Sequence, residues 1–209
     1  MNWPRAQRGY ESPMSLGELC QHIEQFFRAI GRQEIEIYNE FSLQHEFGLF
    51  LRTRMEDGKI KIQFERPTSF FGISGRLTKK EIDLACFRSP NEPLAAVEFK
   101  FPRAGQVPIQ MFKFCQDVAF LEELVLKEQR FGCGVAVMTA NNRHFYQGDR
   151  HQPGTIYSIF RDGAAMRGTI EKPTGTEEPP VTLLSEYNIN WHAAGGLPGL
   201  RYATITVIR

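Results

Sequence analysis

Two apolar runs separated by a short polar turn constrain this chain most. Residues 81–100 read EIDLACFRSPNEPLAAVEFK. The runs at about 81–87 and 94–101 have the length of strands, and RSPNEP between them carries the residues of a turn, so an antiparallel hairpin with a longer loop is expected. Strand geometry sends residues i and i+2 to one face. Glu98 and Lys100 therefore share a face, opposite Val97, Phe99 and Phe101. Glu81 and Asp83 share a face opposite Ile82, Leu84 and Cys86. Charged side chains are seldom fully buried unless paired or bound to a metal, so Asp83, Glu98 and Lys100 need an explanation. One is a salt bridge on a solvent-facing sheet surface. The other is a set of groups converging to do chemistry.

The flanking segments give an α/β order with a mixed sheet. SLGELCQHIEQFFRAIG predicts a helix over 15–31, opened by a Ser15–Glu18 capping box and stopped at Gly31. NEFSLQHEFGLFLRTRM predicts a second from about Glu40 to Met55, with Asn39 as cap and Gly48 as a weak point. KIKIQFER (59–66) alternates as a strand. VPIQMFKFCQDVAFLEELVLKEQR is a long amphipathic helix with Pro108 in its first turn, and FGCGVAVMTA (131–140) is a strand buried on both faces. After Ala140, TIYSIF and RYATITVIR look like strands, and EKPTGTEEPP like a mobile loop. The chain of 209 residues is expected to be one domain (1–209): a core over about 40–140, an extra N-terminal helix over 15–31 and a β-rich C-terminal extension over 141–209.

The formal net charge is +1, so no global excess marks a nucleic-acid binder, yet residues 50–80 carry eight basic side chains against three acidic ones. Four cysteines without a CxxC pair read as small buried hydrophobes, and a zinc site is not expected. MNWPRAQRGYESP lacks the apolar region of a signal peptide, and no apolar run approaches the ~18 residues of a membrane span. A cytoplasmic protein without membrane partners is the default expectation.

Glu46 borders the apolar stripe of the second helix and is expected to point toward the same cleft as Asp83 and Glu98. Carboxylates that close repel unless a cation neutralises them, and their hard oxygens suit Mg²⁺.

EID at 81–83, fourteen intervening residues and EFK at 98–100 resemble the signature of the PD-(D/E)xK, restriction-endonuclease-like nuclease superfamily. Its core order, α-β-β-β-α-β with a mixed central sheet, matches the succession read above. The resemblance implies catalytic roles for Asp83, Glu98 and Lys100, with Glu46, Asp83 and Glu98 as ligands of Mg²⁺, for which Mn²⁺ can substitute. It implies accessory roles for Gln110, in QMFKF with Phe114 where some branches carry tyrosine, and for Glu81. Ile82 stands where the motif has proline. Lys79, Lys80, Arg76 and Arg103 are candidates for phosphate contact, and SFFGISGR (69–76) for a flexible loop over the site. The implied activity is a divalent-metal-dependent endonuclease acting on DNA, in prokaryotic defence, repair or a mobile element. A homodimer for cutting two strands goes with it, and the near-neutral net charge of +1 points to substrate capture through a local patch or a partner protein. The alternatives are a non-catalytic nucleic-acid-binding or assembly module that keeps the fold, and an enzyme acting on another phosphate ester. The chain has no G-x-x-x-x-G-K-[ST] loop to support the last.

Overall fold

The capping box forms as the sequence predicts. Ser15 Oγ accepts from the Glu18 amide at 3.2 Å, and Glu18 Oε2 accepts from the Ser15 amide at 2.7 Å. It opens α1 (Leu16–Gly31), whose buried face carries Leu19, Ile23, Phe26, Phe27 and Ile30. The computed structural model describes residues 15–55, 60–102, 105, 107–148, 154–175 and 178–209. Asn39 caps α2 (Glu40–Arg52), its side chain accepting from the Ser42 amide at 2.7 Å.

Three antiparallel strands follow: β1 (Lys61–Pro67), β2 (Glu81–Ser89) and β3 (Glu92–Lys100). The β2–β3 turn is tighter than expected: Ser89 pairs with Glu92, leaving Pro90 and Asn91 as the connection. Then α3 (Val107–Glu122), ending in a π-turn over Glu123–Lys127, crosses back to β4 (Cys133–Ala140). β4 runs parallel to β3, and every one of its residues is buried.

Beyond β4 the sequence expectation needs correction. TIYSIF is not a strand: Ile156–Arg161 form a short helix, α4. Its β-branched and aromatic composition is overridden by an extended Thr155 at the N-cap, by Ser158 Oγ bonding back to Thr155 O at 2.7 Å, and by Phe160 packing edge-on against Phe114. β5 (Met166–Ile170) and β6 (Val181–Tyr187) form a separate ribbon. RYATITVIR does form a strand, β8 (Arg201–Ile208), antiparallel to β4, with the two-residue β7 (His192–Ala193) at its edge. The main sheet is thus mixed and six-stranded, in the order β1-β2-β3-β4-β8-β7. The tail both extends the sheet and adds a second layer of its own.

The two faces of the sheet have separate cores. On one, α1 and α2 set Phe26, Phe47 and Phe99 in edge-to-face contact, with centroids 5.2 and 5.5 Å apart. Gly48 explains itself here, since a Cβ would lie 2.1 Å from Phe64 Cζ; the bare backbone lets α2 settle onto β1. On the other face, α3 packs on Ala85, Phe87 and Ala96, and the π-turn adds Leu124 and Val125. Glu122, buried at the end of α3, accepts from the amides of Leu184 and Ser185 and from Tyr187 Oη at 2.7–2.9 Å, which fastens the β5–β6 ribbon to the core. The four cysteines are free thiols, three of them buried. No helix among the described residues is long and apolar enough to cross a membrane.

Candidate active site

The β2–β3 ladder stops at Leu84–Val97, and the carboxylates of the next residues take over the freed amides. Glu98 Oε1 accepts from the Asp83 amide at 3.1 Å, and Asp83 Oδ2 from the Phe99 amide at 2.8 Å. Charge-assisted bonds of this kind fix both carboxylates on a rigid support. Their other oxygens turn to one point, which the Lys79 ammonium occupies. Lys79 Nζ lies 3.5 Å from Asp83 Oδ1, contacts Glu98 Oε2 directly, and lies 3.2 Å from Asp117 Oδ1 on α3. Lys100 is beside them, 3.2 Å from Glu40 Oε1 and 3.5 Å from Asp117 Oδ2. Glu40 Oε2 accepts from the Phe101 amide at 2.9 Å, which ties the start of α2 to the end of β3.

The cluster lies under α3 and not on a solvent-facing sheet surface: Glu98 is 0% and Asp83 7% exposed. It holds four carboxylates, Asp83, Glu98, Asp117 and Glu40, against two ammonium groups. Burial first, then Asp83 and Asp117, push Glu98 well above the usual carboxyl range, although Lys79 opposes them. Burial also raises Asp117, against Lys100 and Lys79. For Lys79 burial works against the charge, but Glu98, Asp117 and Asp83 outweigh it and hold the proton more tightly than in a free lysine. Lys100 is raised likewise, Asp117 and Glu40 overcoming its burial.

These directions give a pH dependence of stability. A carboxyl raised on folding stabilises the protein below its ordinary value, 4.5 for glutamate, and that contribution is lost as pH rises through the folded value. The lysines, raised from 10.5, keep their contribution throughout the neutral range. The urea midpoint of metal-free protein should therefore fall as pH rises above the ordinary glutamate value of 4.5. Glu98→Gln should remove most of that fall; an equal slope in the variant would contradict it.

Of the residues the sequence singled out, Asp83, Glu98 and Lys100 do come together. Lys79, expected at phosphate, is instead the hub of the carboxylates. Glu46 does not join them: its carboxylate is 3.7 Å from His45 Nδ1 and lines a shallow groove with Ala29, Glu34 and Arg54. The carboxylate that α2 delivers is Glu40. Glu46 follows it by six residues, about 120° around the helix. Glu81 is exposed at the start of β2, opposite Pro67. Gln110 is half-buried in α3, on the helical row that continues through Phe114 to Asp117. Arg76 and Lys80 are exposed, while Arg103 lies outside the described residues. The 69–76 segment is no free loop, because Phe71 and Ile73 are buried in the core.

Sequence reasoning missed Asp117, Glu40 and Glu65. Asp117 had a usable signal, a lone acid two helical turns after Gln110 on a face otherwise apolar. Glu40 was masked by its place in the first turn, where an acid is favourable to any helix. Glu65 stands between Phe64 and Arg66 in β1, opposite Asp83, with φ at 47°, a left-handed backbone uncommon for a side-chain-bearing residue.

In comparisons with known proteins, no family model, curated protein or solved structure matches this chain.

Whether the cluster suits a divalent cation can be tested on its donors. They are carboxylates, the hard oxygens such a cation takes. Asp117 Oδ2 is buried and makes no hydrogen bond, facing the Lys100 ammonium at 3.5 Å. The charge surplus is negative. Among the described residues, however, no three His, Cys, Asp or Glu side chains are spaced as a metal site, and the point where Asp83, Glu98 and Asp117 meet holds an ammonium. The chemistry fits, on condition that Lys79 withdraws.

Proposed function

We propose that this chain is a divalent-metal-dependent nuclease of the PD-(D/E)xK superfamily, hydrolysing phosphodiester bonds of DNA. The observation that carries this reading is the convergence of Asp83, Glu98 and Asp117 on one point, with Lys100 alongside and negative charge in surplus. Asp83, Glu98 and Asp117 would hold Mg²⁺ or Mn²⁺. When bound, such an ion lowers the pKa of a water and offsets charge developing on a phosphoryl group. Lys100, 12% exposed in its side chain and braced by Glu40 and Asp117, orients the attacking water and meets charge on the nonbridging oxygens. Glu40 positions Lys100 and ties α2 to the end of β3. Arg76 and Lys80, both exposed near the cluster in sequence, supply phosphate contacts that position DNA without reading its sequence.

The test is a substrate panel of supercoiled plasmid, linear duplex, single-stranded DNA and RNA, each with Mg²⁺, Mn²⁺ or EDTA. Strand cleavage with either metal and none in EDTA is expected. Failure to cut any substrate under any of these conditions would sink the reading. One observation favours a second reading, a non-catalytic module: the Lys79 ammonium already neutralises part of the carboxylate cluster, as a purely structural ion network would require.

A further inference from the structure

Three facts about Lys79 bear on how the cluster works. Its ammonium is at the single point that oxygens of Asp83, Glu98 and Asp117 share. Its backbone is pinned on both sides. Thr78 donates to Glu123 through its amide at 2.7 Å and its hydroxyl at 2.9 Å, and the Thr68 amide donates to Lys80 O at 2.9 Å. Its side chain is the most exposed member of the contact, 29% against 0% for Glu98, 11% for Asp83 and 5% for Asp117.

A pinned backbone and a partly exposed four-carbon stem leave one motion available, rotation of the side chain toward solvent. The carboxylates cannot follow, because Asp83 and Glu98 are held by the Phe99 and Asp83 amides. We propose, on the metal-dependent reading above, that Lys79 is a tethered counter-ion of this site. Its ammonium keeps the three carboxylates together when no divalent ion is present and must swing out before one is bound. Lys79 is thereby a positioning residue that sets metal affinity, and Lys100 is not equivalent to it. Lys100 meets the three convergent carboxylates at Asp117 Oδ2 and is anchored on its far side by Glu40. Bound metal and resident ammonium are mutually exclusive, so each divalent ion taken up delivers one freed cation to the neighbourhood of exposed Arg76 and Lys80.

The experiment is calorimetric titration of the intact protein with Mn²⁺, comparing wild type, Lys79→Met, Asp83→Asn and Lys113→Met, the last an exposed lysine one helical turn before Asp117 on α3 that takes no part in the ion pairs of the cluster described above. Removing the competitor should tighten Mn²⁺ binding by at least about tenfold in Lys79→Met, because like-charged carboxylates left without a partner favour any cation. Lys113→Met should not change it. If Lys79→Met binds Mn²⁺ no tighter than wild type, the counter-ion role is wrong; the metal reading survives that result provided Asp83→Asn abolishes wild-type binding. If neither wild type nor Lys79→Met binds, both fall. Should Lys79→Met fail to fold, wild-type protein decides the matter through acylation of lysine amines followed by peptide mass mapping. Saturating Mn²⁺ should raise labelling of Lys79 several-fold while Lys113 stays constant. Unchanged or reduced labelling of Lys79 would overturn the proposal.

Discussion

On the proposed nuclease reading, Asp83→Asn should slow metal-dependent strand cleavage by roughly a thousandfold or more while leaving the protein folded. The two halves of that result come from the two oxygens of one carboxylate. Oδ2 accepts from the Phe99 amide, and an asparagine carbonyl can do the same. Oδ1 faces the point where the carboxylates converge, and there the amide removes a charge and turns a donor toward Lys79. Because the cluster already carries surplus negative charge, losing one carboxylate costs little stability. Asp83→Ala is the less informative change, since it also strips the Phe99 amide of its buried acceptor, at about 1–3 kcal/mol. Single-turnover cleavage measured beside urea unfolding separates these effects. A rate within about tenfold of wild type would remove Asp83 from the chemistry.

Gly31→Ala should be the most damaging single-methyl change in the scaffold, by about 3–4 kcal/mol. A Cβ there would lie 2.5 Å from both Ala194 O and Gly195 Cα. Both atoms are backbone, so no rotamer change relieves the overlap. Gly195, at φ 58°, is itself committed to a conformation that favours glycine, and its own Cβ would meet Gly31 Cα at 2.9 Å. The end of α1 and the loop before β8 therefore approach as bare backbone on both sides. Gly17→Ala in the same helix is the contrast: its Cβ meets only Ser15 Oγ at 3.8 Å, and it should stabilise by up to about 1 kcal/mol. Urea midpoints for the two variants should move in opposite directions; equal shifts would mean that the contact yields.

The elements were legible where hydrophobic period and length agreed. α1, α3 and β4 each bury enough apolar side chain that their pattern has one reading, and Ser15–Glu18 set a boundary to within a residue. Legibility failed where a polar end decided the outcome. In TIYSIF the strand-forming side chains say less than Thr155 and Ser158, which close a helical turn. The site divides in the same way. Asp83, Glu98 and Lys100 follow from strand alternation, which fixes their face without any tertiary knowledge. Choosing Glu40 over Glu46 requires knowing which margin of α2 meets the end of β3, and that depends on how α2 sits on β1 through Gly48. Lys79 shows the limit most clearly. Sequence reveals a run of basic residues but not which one is drawn inward, because that follows from the Thr78–Glu123 anchor, forty-five positions apart.

The placement of β8 has a consequence for how the chain is made. β4 gains its second neighbour only when residues 201–208 dock, so the whole stretch from 141 to 200 must leave the ribosome first. During that interval β4, buried on every residue in the finished protein, has one edge without a partner. Non-local pairing of this sort is slow, and open apolar edges invite association with other chains. The strand that supports Glu98 and Lys100 from behind is thus the one most exposed to misassembly during synthesis, and protein yield will depend on how quickly the C-terminal strand arrives.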